Sequence, residues 1–244
     1  MRPAVVLFDL DDTLFRHREA VDDAATATVR LLDDAASDEV IAAELVRWRD
    51  LEEHHYHRYL GGEIGFEDQR RARARDFAAA YGIDLVDDVS ASTWWADYME
   101  RYRSAWRLHD DALPCLDDLG RRFPAVRFGL ITNGELAFQT AKVDAVALAN
   151  RMDHVVASGE FGAVKPDPAI FLHACSLFAA DPDDCVYVGD RLRTDALGAA
   201  AAGLTGVWLD RRGERDHAAP DELARVRVIG SLTQLGETLE TRER

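Results

Sequence analysis

The chain has 244 residues, 48% of them hydrophobic, enough to bury a core as one large domain or two modest ones. Its formal charge of −16 at pH 7 repels phosphate backbones and anionic lipid, which argues against a nucleic-acid partner and against a membrane surface. No apolar run reaches membrane-spanning length, and the opening residues Met1, Arg2, Pro3 and Ala4 run straight into a short apolar segment without a signal-type h-region, so a cytoplasmic protein, monomer or homodimer, is expected.

Residues 4–8 form an apolar run with two valines that closes on carboxylates, as a buried parallel strand does when its carboxyl end opens on a site. From residue 16 to residue 107 the pattern turns helical. Ile41, Leu45 and Trp48 recur at helical spacing, as do Phe66, Arg70, Phe77 and Tyr81, and glycines at Gly61, Gly62, Gly65 and Gly82 break the block into what reads as four helices. Strands then alternate with helices: strands are expected at 126–132, 154–157, 185–189 and 206–209, and a helix starting at Asp167 and Pro168 carries the stripe Ile170, Ala174, Leu177 and Phe178. After a charged loop at 211–217, residues 226–229 are compatible with an edge strand and 231–239 with a last helix. This alternation implies βαβ units, hence an α/β fold: a Rossmann-like parallel sheet with helices on both faces. The expected domains are a core made of residues 1–15 and 108–244, and an inserted α-helical cap at 16–107.

Cys115, Cys175 and Cys185 are odd in number and lack Cys-x-x-Cys spacing, which fits reduced thiols packed as small hydrophobes. Lysine occurs only at Lys142 and Lys165, a bias that codon usage explains; of the two, Lys165 alone falls in a motif.

Four polar clusters end the expected strands or follow one in a loop. Asp9 and Asp11 are two apart, so a persisting strand would aim both carboxylates at one face, roughly 7 Å apart along the chain. Two acids so placed repel, and an oxygen-bound divalent cation such as Mg²⁺ relieves the repulsion. An Asp-Asp-Thr turn that merely opens a helix has the same composition. Thr132, Asn133 and Gly134 offer a hydroxyl and backbone N–H groups near a helix start, suited to a phosphate oxygen and equally to an ordinary turn. Lys165 precedes Pro166 and a helix start, where the dipole gives a cation no benefit; it suits an anion or is a surface lysine beside a proline. Asp190 ends the strand at 185–189 and is suited to a metal, while Asp195, in the first turn of the next helix, is catalytic or simply compensates the dipole. Ligand sites in open α/β sheets lie beyond the carboxyl ends of the strands, where all four clusters fall.

Asp9-x-Asp11-x-Thr13, Thr132-Asn133-Gly134, Lys165-Pro166 and Gly189-Asp190 with Asp195 resemble, in order, the four motifs of the haloacid dehalogenase superfamily. The resemblance covers residues 4–15 and 108–229, and the helical block matches the lid one subgroup carries between its first and second motifs. The short stretch between Thr132 and Lys165 leaves no room for a second large insertion. The resemblance implies a phosphatase in which Asp9 attacks phosphorus and Asp11 is general acid and then base. It implies Mg²⁺ on Asp9, on the Asp11 backbone carbonyl and on Asp190, with Asp195 behind them orienting a metal-bound water or Lys165. Thr132, Asn133, Gly134 and Lys165 would bind the phosphoryl oxygens. Dehalogenases of the superfamily lack the acid at the position of Asp11, so carbon–halogen cleavage is disfavoured. The segment 188–209 is similar to small-metabolite phosphatases acting on nucleoside monophosphates or sugar phosphates. Substrate selection is expected in the cap, where His54, His55, His57 and Arg58 either meet substrate or form a polar face, and where Trp94, Trp95 and Trp106 read as core. A phosphomutase on the same core and a non-catalytic binding protein are the competing readings.

Overall fold

A computed structural model describes residues 2–241, the side chain of Leu60 excepted. The chain divides into two compact units, one formed by Met1–Arg16 with Arg107–Arg244 and the other by His17–Trp106.

The first unit is built on a six-stranded sheet, β1 (Val5–Phe8), β2 (Arg127–Thr132), β3 (His154–Ala157), β4 (Cys185–Gly189), β5 (Thr205–Leu209) and β6 (Arg227–Ile229), in the order β3-β2-β1-β4-β5-β6. Every pairing is parallel, so the sheet is the Rossmann-like α/β core expected from the alternation. All four residues of β1 are buried, as a central strand covered on both faces requires. The order reverses beside β1: the chain runs outward through β2 and β3, then returns to β4 on the other side of β1. A crevice at the carboxyl ends of β1, β2 and β4 is the consequence. The segment at 226–229 does add an edge strand, paired to β5.

Between β2 and β4 lie the helices Leu136–Ala145, Ser158–Phe161 and Pro168–Leu177, the second of which is too short to show in the periodicity. In the helix Pro168–Leu177, Asp167 caps the start by accepting the Ala169 N–H at 2.9 Å, with Pro168 in the first turn. Its buried residues are Ile170, Phe171, Ala174 and Cys175, which join Val5, Leu7 and Tyr187 in a core over one face of the sheet. The expected stripe is therefore rotated: Phe178 is buried, but Leu177 is 40% exposed. A pattern that includes i+1 and i+5 neighbours broadens the face, and the i+7 residue then turns to solvent.

The second unit consists of four helices among the described residues, α1 (His17–Leu32), α2 (Asp38–Leu60), α3 (Phe66–Ala79) and α4 (Asp88–Ser104). Trp48, 1% exposed, is the hub of its core. Phe77 meets it edge-on at 4.8 Å, Tyr98 packs at 4.3 Å, and Trp94 and Trp95 pack at 6.1 Å. Trp106 stands edge-on against Tyr102. Burial of such rings supplies most of the driving force for so small a bundle. No helix among the described residues is long and apolar enough to cross a membrane.

Candidate active site

Asp9 follows β1 and continues its ladder for one more step, its N–H donating to the Val188 carbonyl at 2.8 Å. The strand then stops. Residues 10–15 fold back on themselves, with Leu14 and Phe15 donating to the Leu10 carbonyl and Asp12 in the left-handed region at φ 63°. Aspartate tolerates this conformation better than most side chains. The two acids of the motif are consequently parted. The expectation that both point from one strand face fails because the strand ends at Phe8; each carboxylate instead meets its own buried lysine.

Asp9, 6% exposed, accepts Lys165 Nζ at 2.6 Å on Oδ1 and the Thr13 hydroxyl at 3.2 Å on Oδ2. Lys165 also donates to Asp195 Oδ1 at 2.8 Å and to the Tyr187 hydroxyl at 2.7 Å, and that hydroxyl donates to the Ile131 carbonyl at 3.0 Å. Asp195 lies in a π-helical segment, Leu192–Leu197, and its second oxygen accepts the Arg191 N–H at 3.0 Å. A regular first helical turn was expected there; the wider turn is a local irregularity of the kind found at functional sites. Gly189 permits the arrangement, since a Cβ on it would collide with the Asp195 side chain.

Asp9, Asp190 and Asp195 each present a carboxylate oxygen, all within 4.8 Å of one another. Asp190 has no hydrogen-bond or ion-pair partner for its carboxylate among the described residues; only its backbone carbonyl is engaged, by the Trp208 indole at 3.0 Å. Burial, with Asp9, Asp195 and Asp12 nearby, pushes Asp190 up to about 8. Burial likewise pushes Asp9 up to about 7; Lys165 pulls it down while Asp195 pushes it further up. Burial disfavours the charge of Lys165, yet Asp195 and Asp9 hold it up at about 12. The Lys165 ammonium and the neighbouring Arg191 guanidinium thus face three clustered carboxylates, and the surplus negative charge calls for a cation. An all-oxygen donor set of this kind fits a hard divalent ion such as Mg²⁺. Each of the three residues offers such an ion a carboxylate oxygen.

Thr132, 1% exposed, ends β2 beside this cluster. The next two residues tie the loops of the site together. The Asn133 amide pairs with the backbone of Lys165 in both directions, accepting its N–H at 2.9 Å and donating to its carbonyl at 3.1 Å. The Gly134 N–H is given to the Ser158 hydroxyl at 3.0 Å. The Asn133 side chain thus holds the segment that carries Lys165, and the Gly134 N–H ties the turn to Ser158.

Lys142, which falls in none of the motifs, also lies in this region. It is 1% exposed and donates to both oxygens of Asp11 at 2.8 Å, and Gln139 Nε2 adds a contact at 3.3 Å. Gln139 and Lys142 are three apart on the helix Leu136–Ala145 and share a face. Gly134 serves this corner too: a Cβ there would stand 2.8 Å from Gln139 Nε2. The one legible signal was rarity, two lysines against many arginines.

A further buttress, absent from the motifs, is Arg211. Its guanidinium forks onto Asp111 at 2.8 and 2.9 Å and reaches the Thr13 carbonyl at 3.0 Å. Burial pushes Asp111 up, but Arg211, Ser231 and the Leu232 N–H outweigh it and hold the carboxyl down at about 2. In the helical unit the histidines separate. His55 is buried and pairs with Asp76 at 2.7 Å, while His54 and His57 are exposed, and none of them joins a metal-competent cluster among the described residues.

The family model of haloacid dehalogenase-like hydrolases matches residues 3–203. N-acylneuraminate-9-phosphatase of Mus musculus is 41% identical over 107 residues, 43% of this chain and 42% of that enzyme. The match therefore spans less than half of the length of that relative. Glyceraldehyde 3-phosphate phosphatase of Methanopyrus kandleri is 29% identical over 215 residues, 88% of this chain and 87% of that one. Among solved structures, the putative HAD-hydrolase YfnB of Bacillus subtilis, bound to magnesium, shares the fold with a TM-score of 0.75 at 19% identity, over 99% of this chain and 100% of that one. With the family model matched over most of its length, the chain belongs to the haloacid dehalogenase-like hydrolases.

Proposed function

We propose that the protein is a Mg²⁺-dependent phosphatase that hydrolyses a small phosphorylated metabolite, of nucleoside monophosphate or sugar phosphate type, through an aspartyl-phosphate on Asp9. The observation that carries this reading is the buried Lys165 bridging Asp9 at 2.6 Å and Asp195 at 2.8 Å while Asp190 brings a third carboxylate into the same cluster. Phosphatase relatives of the family support the reaction class.

Lys165 and the Thr13 hydroxyl fix the Asp9 carboxylate, whose oxygen attacks phosphorus as the bond to the leaving alkoxide breaks. Asp11 gives that oxygen its proton. Asp11 then takes a proton from water as the water oxygen attacks phosphorus, the bond to Asp9 breaks, and phosphate leaves with Asp9 restored as carboxylate. Thr132 and Lys165 would hold phosphoryl oxygens, and Asp195 keeps Lys165 charged and in place. When bound by Asp9, Asp190 and the Asp11 backbone carbonyl, Mg²⁺ would neutralise the approach of one anion to another. The helical unit His17–Trp106 is proposed as the cap that selects the substrate, acting in the cytoplasm where Cys115, Cys175 and Cys185 stay reduced.

Phosphate release from a panel of nucleotides and sugar phosphates, with and without Mg²⁺, tests the reading. Release from a subset of the panel that depends on Mg²⁺ is expected. Absence of release from every member would overturn it.

A further inference from the structure

We propose that Lys142, assisted by Gln139, is a positioning residue for Asp11 and is required for the hydrolysis of the phosphorylated enzyme. The inference rests on the mechanism above for the role of Asp11, and on geometry for everything else.

An ammonium buried at 1% exposure is costly unless compensated. Here the Asp11 carboxylate is gripped symmetrically, with both of its oxygens 2.8 Å from Nζ and the Gln139 amide 3.3 Å from Oδ2. Three donor contacts from one helix face leave the carboxylate little rotational freedom. The lysine is itself confined: the rings of Phe15 and Phe138 lie 5.2 and 5.0 Å from Nζ, a distance at which aromatic faces attract a cation. Phe15 belongs to the same folded-back loop as Asp11, and the Asp12 N–H donates to its carbonyl at 2.7 Å. The loop and the helix Leu136–Ala145 thereby lock together around one ion pair. That helix starts directly after Thr132, Asn133 and Gly134, so the element that closes the phosphate end of the site also orients the acid and base. A base displaced by about 1 Å loses up to a hundredfold in rate, which is the effect at stake.

The asymmetry of buried ion pairs separates positioning from mere support. Removing Asp11 strands a buried ammonium, whereas replacing Lys142 by methionine leaves a carboxylate that is 26% exposed and within reach of water. Lys142→Met is therefore expected to stay folded. In the full chain with Mg²⁺ and 4-nitrophenyl phosphate, it should lower kcat by roughly 10- to 100-fold, with KM falling alongside because the slowed step follows phosphoryl transfer, and phosphoenzyme should accumulate on acid quench. Lys142→Arg should recover part of the loss. A folded Lys142→Met protein with the kcat of the parent would overturn the proposal.

The lysine content supplies a readout independent of activity. With two lysines in the chain, ¹⁵N spectra of the side-chain ammonium groups contain two lysine signals. Asp11→Asn should shift one of them and Asp9→Asn the other. If Asp11→Asn moves neither signal, the pairing fails whatever the enzyme does. If the parent forms no phosphoenzyme while the pairing signals behave as expected, the reading of the reaction fails instead.

Discussion

Lys165 and Lys142 are the only lysines of the chain, and each is buried against an acid of the same short loop, but their surroundings are electrically opposite. Lys165 divides its charge between Asp9 and Asp195, with Asp190 crowding the same cluster beside Arg191, so the carboxylates of this corner outnumber its cations. Lys142 donates to both oxygens of Asp11. On the proposed reading, the first corner receives a cation and a phosphoryl group, and the second holds a single carboxylate still. Two aspartates separated by one residue can take different roles because the chain leaves the strand between them.

Breaking the first corner should have the largest effect. Lys165→Met leaves Asp9 and Asp195 facing each other without a cation, and kcat should fall by roughly a thousandfold, with melting temperature dropping in the metal-free protein. An activity within tenfold of the parent would contradict the assignment.

Asp190→Asn sharpens the contrast by acting in opposite directions on activity and stability. Asp190 sits at about 8, above its ordinary 3.8, so its contribution to folding is fullest below about pH 4 and is lost as pH rises through 8. The metal-free parent should therefore melt progressively lower as pH rises over that range. Asp190→Asn should melt a few degrees higher at pH 8, on the order of 2–4 °C, yet need far more Mg²⁺ for any remaining activity. Calorimetry with and without Mg²⁺ checks both signs.

A smaller effect is expected behind the loop, where Arg211 ties Asp111 to the Thr13 carbonyl. Asp111 is held at about 2, below its ordinary 3.8, so its stabilisation is present above about pH 4 and lost as pH falls toward 2. The amount is about 2 kcal/mol, and Arg211→Met should remove the part that Ser231 and the Leu232 N–H do not supply, and make the acid limb of the stability curve shallower. Chemical denaturation between pH 2 and 7 measures the slope.

Lys165 was readable because it stands beside a helix start, where a cation needs a reason, and Asp9 and Asp190 because they close apolar runs. The sheet and its edge strand were readable from the same alternation. Lys142 was not, since its role depends on a helix packing over a loop, a contact between residues 131 positions apart. Nor could the sequence tell that the Asn133 amide would turn to the Lys165 backbone and the Gly134 N–H to Ser158: donors in a turn look the same whether they bind a ligand or their own chain. The spacing of Asp9 and Asp11 misled for a related reason, because periodicity holds only while the strand lasts and Asp12 turns left-handed. The rotation of Leu177 to the surface reflects a helix face wider than a single stripe.

The central claim, that Asp9 carries the phosphoryl group and Asp11 releases it, is tested most directly by trapping. Asp11→Asn protein, mixed with Mg²⁺ and 4-nitrophenyl phosphate and quenched in acid, should show by mass spectrometry one added phosphoryl group that maps to Asp9, while Asp9→Asn shows none. Turnover of substrate by Asp9→Asn at the rate of the parent, or a phosphoryl group mapped to any other residue, would contradict the account.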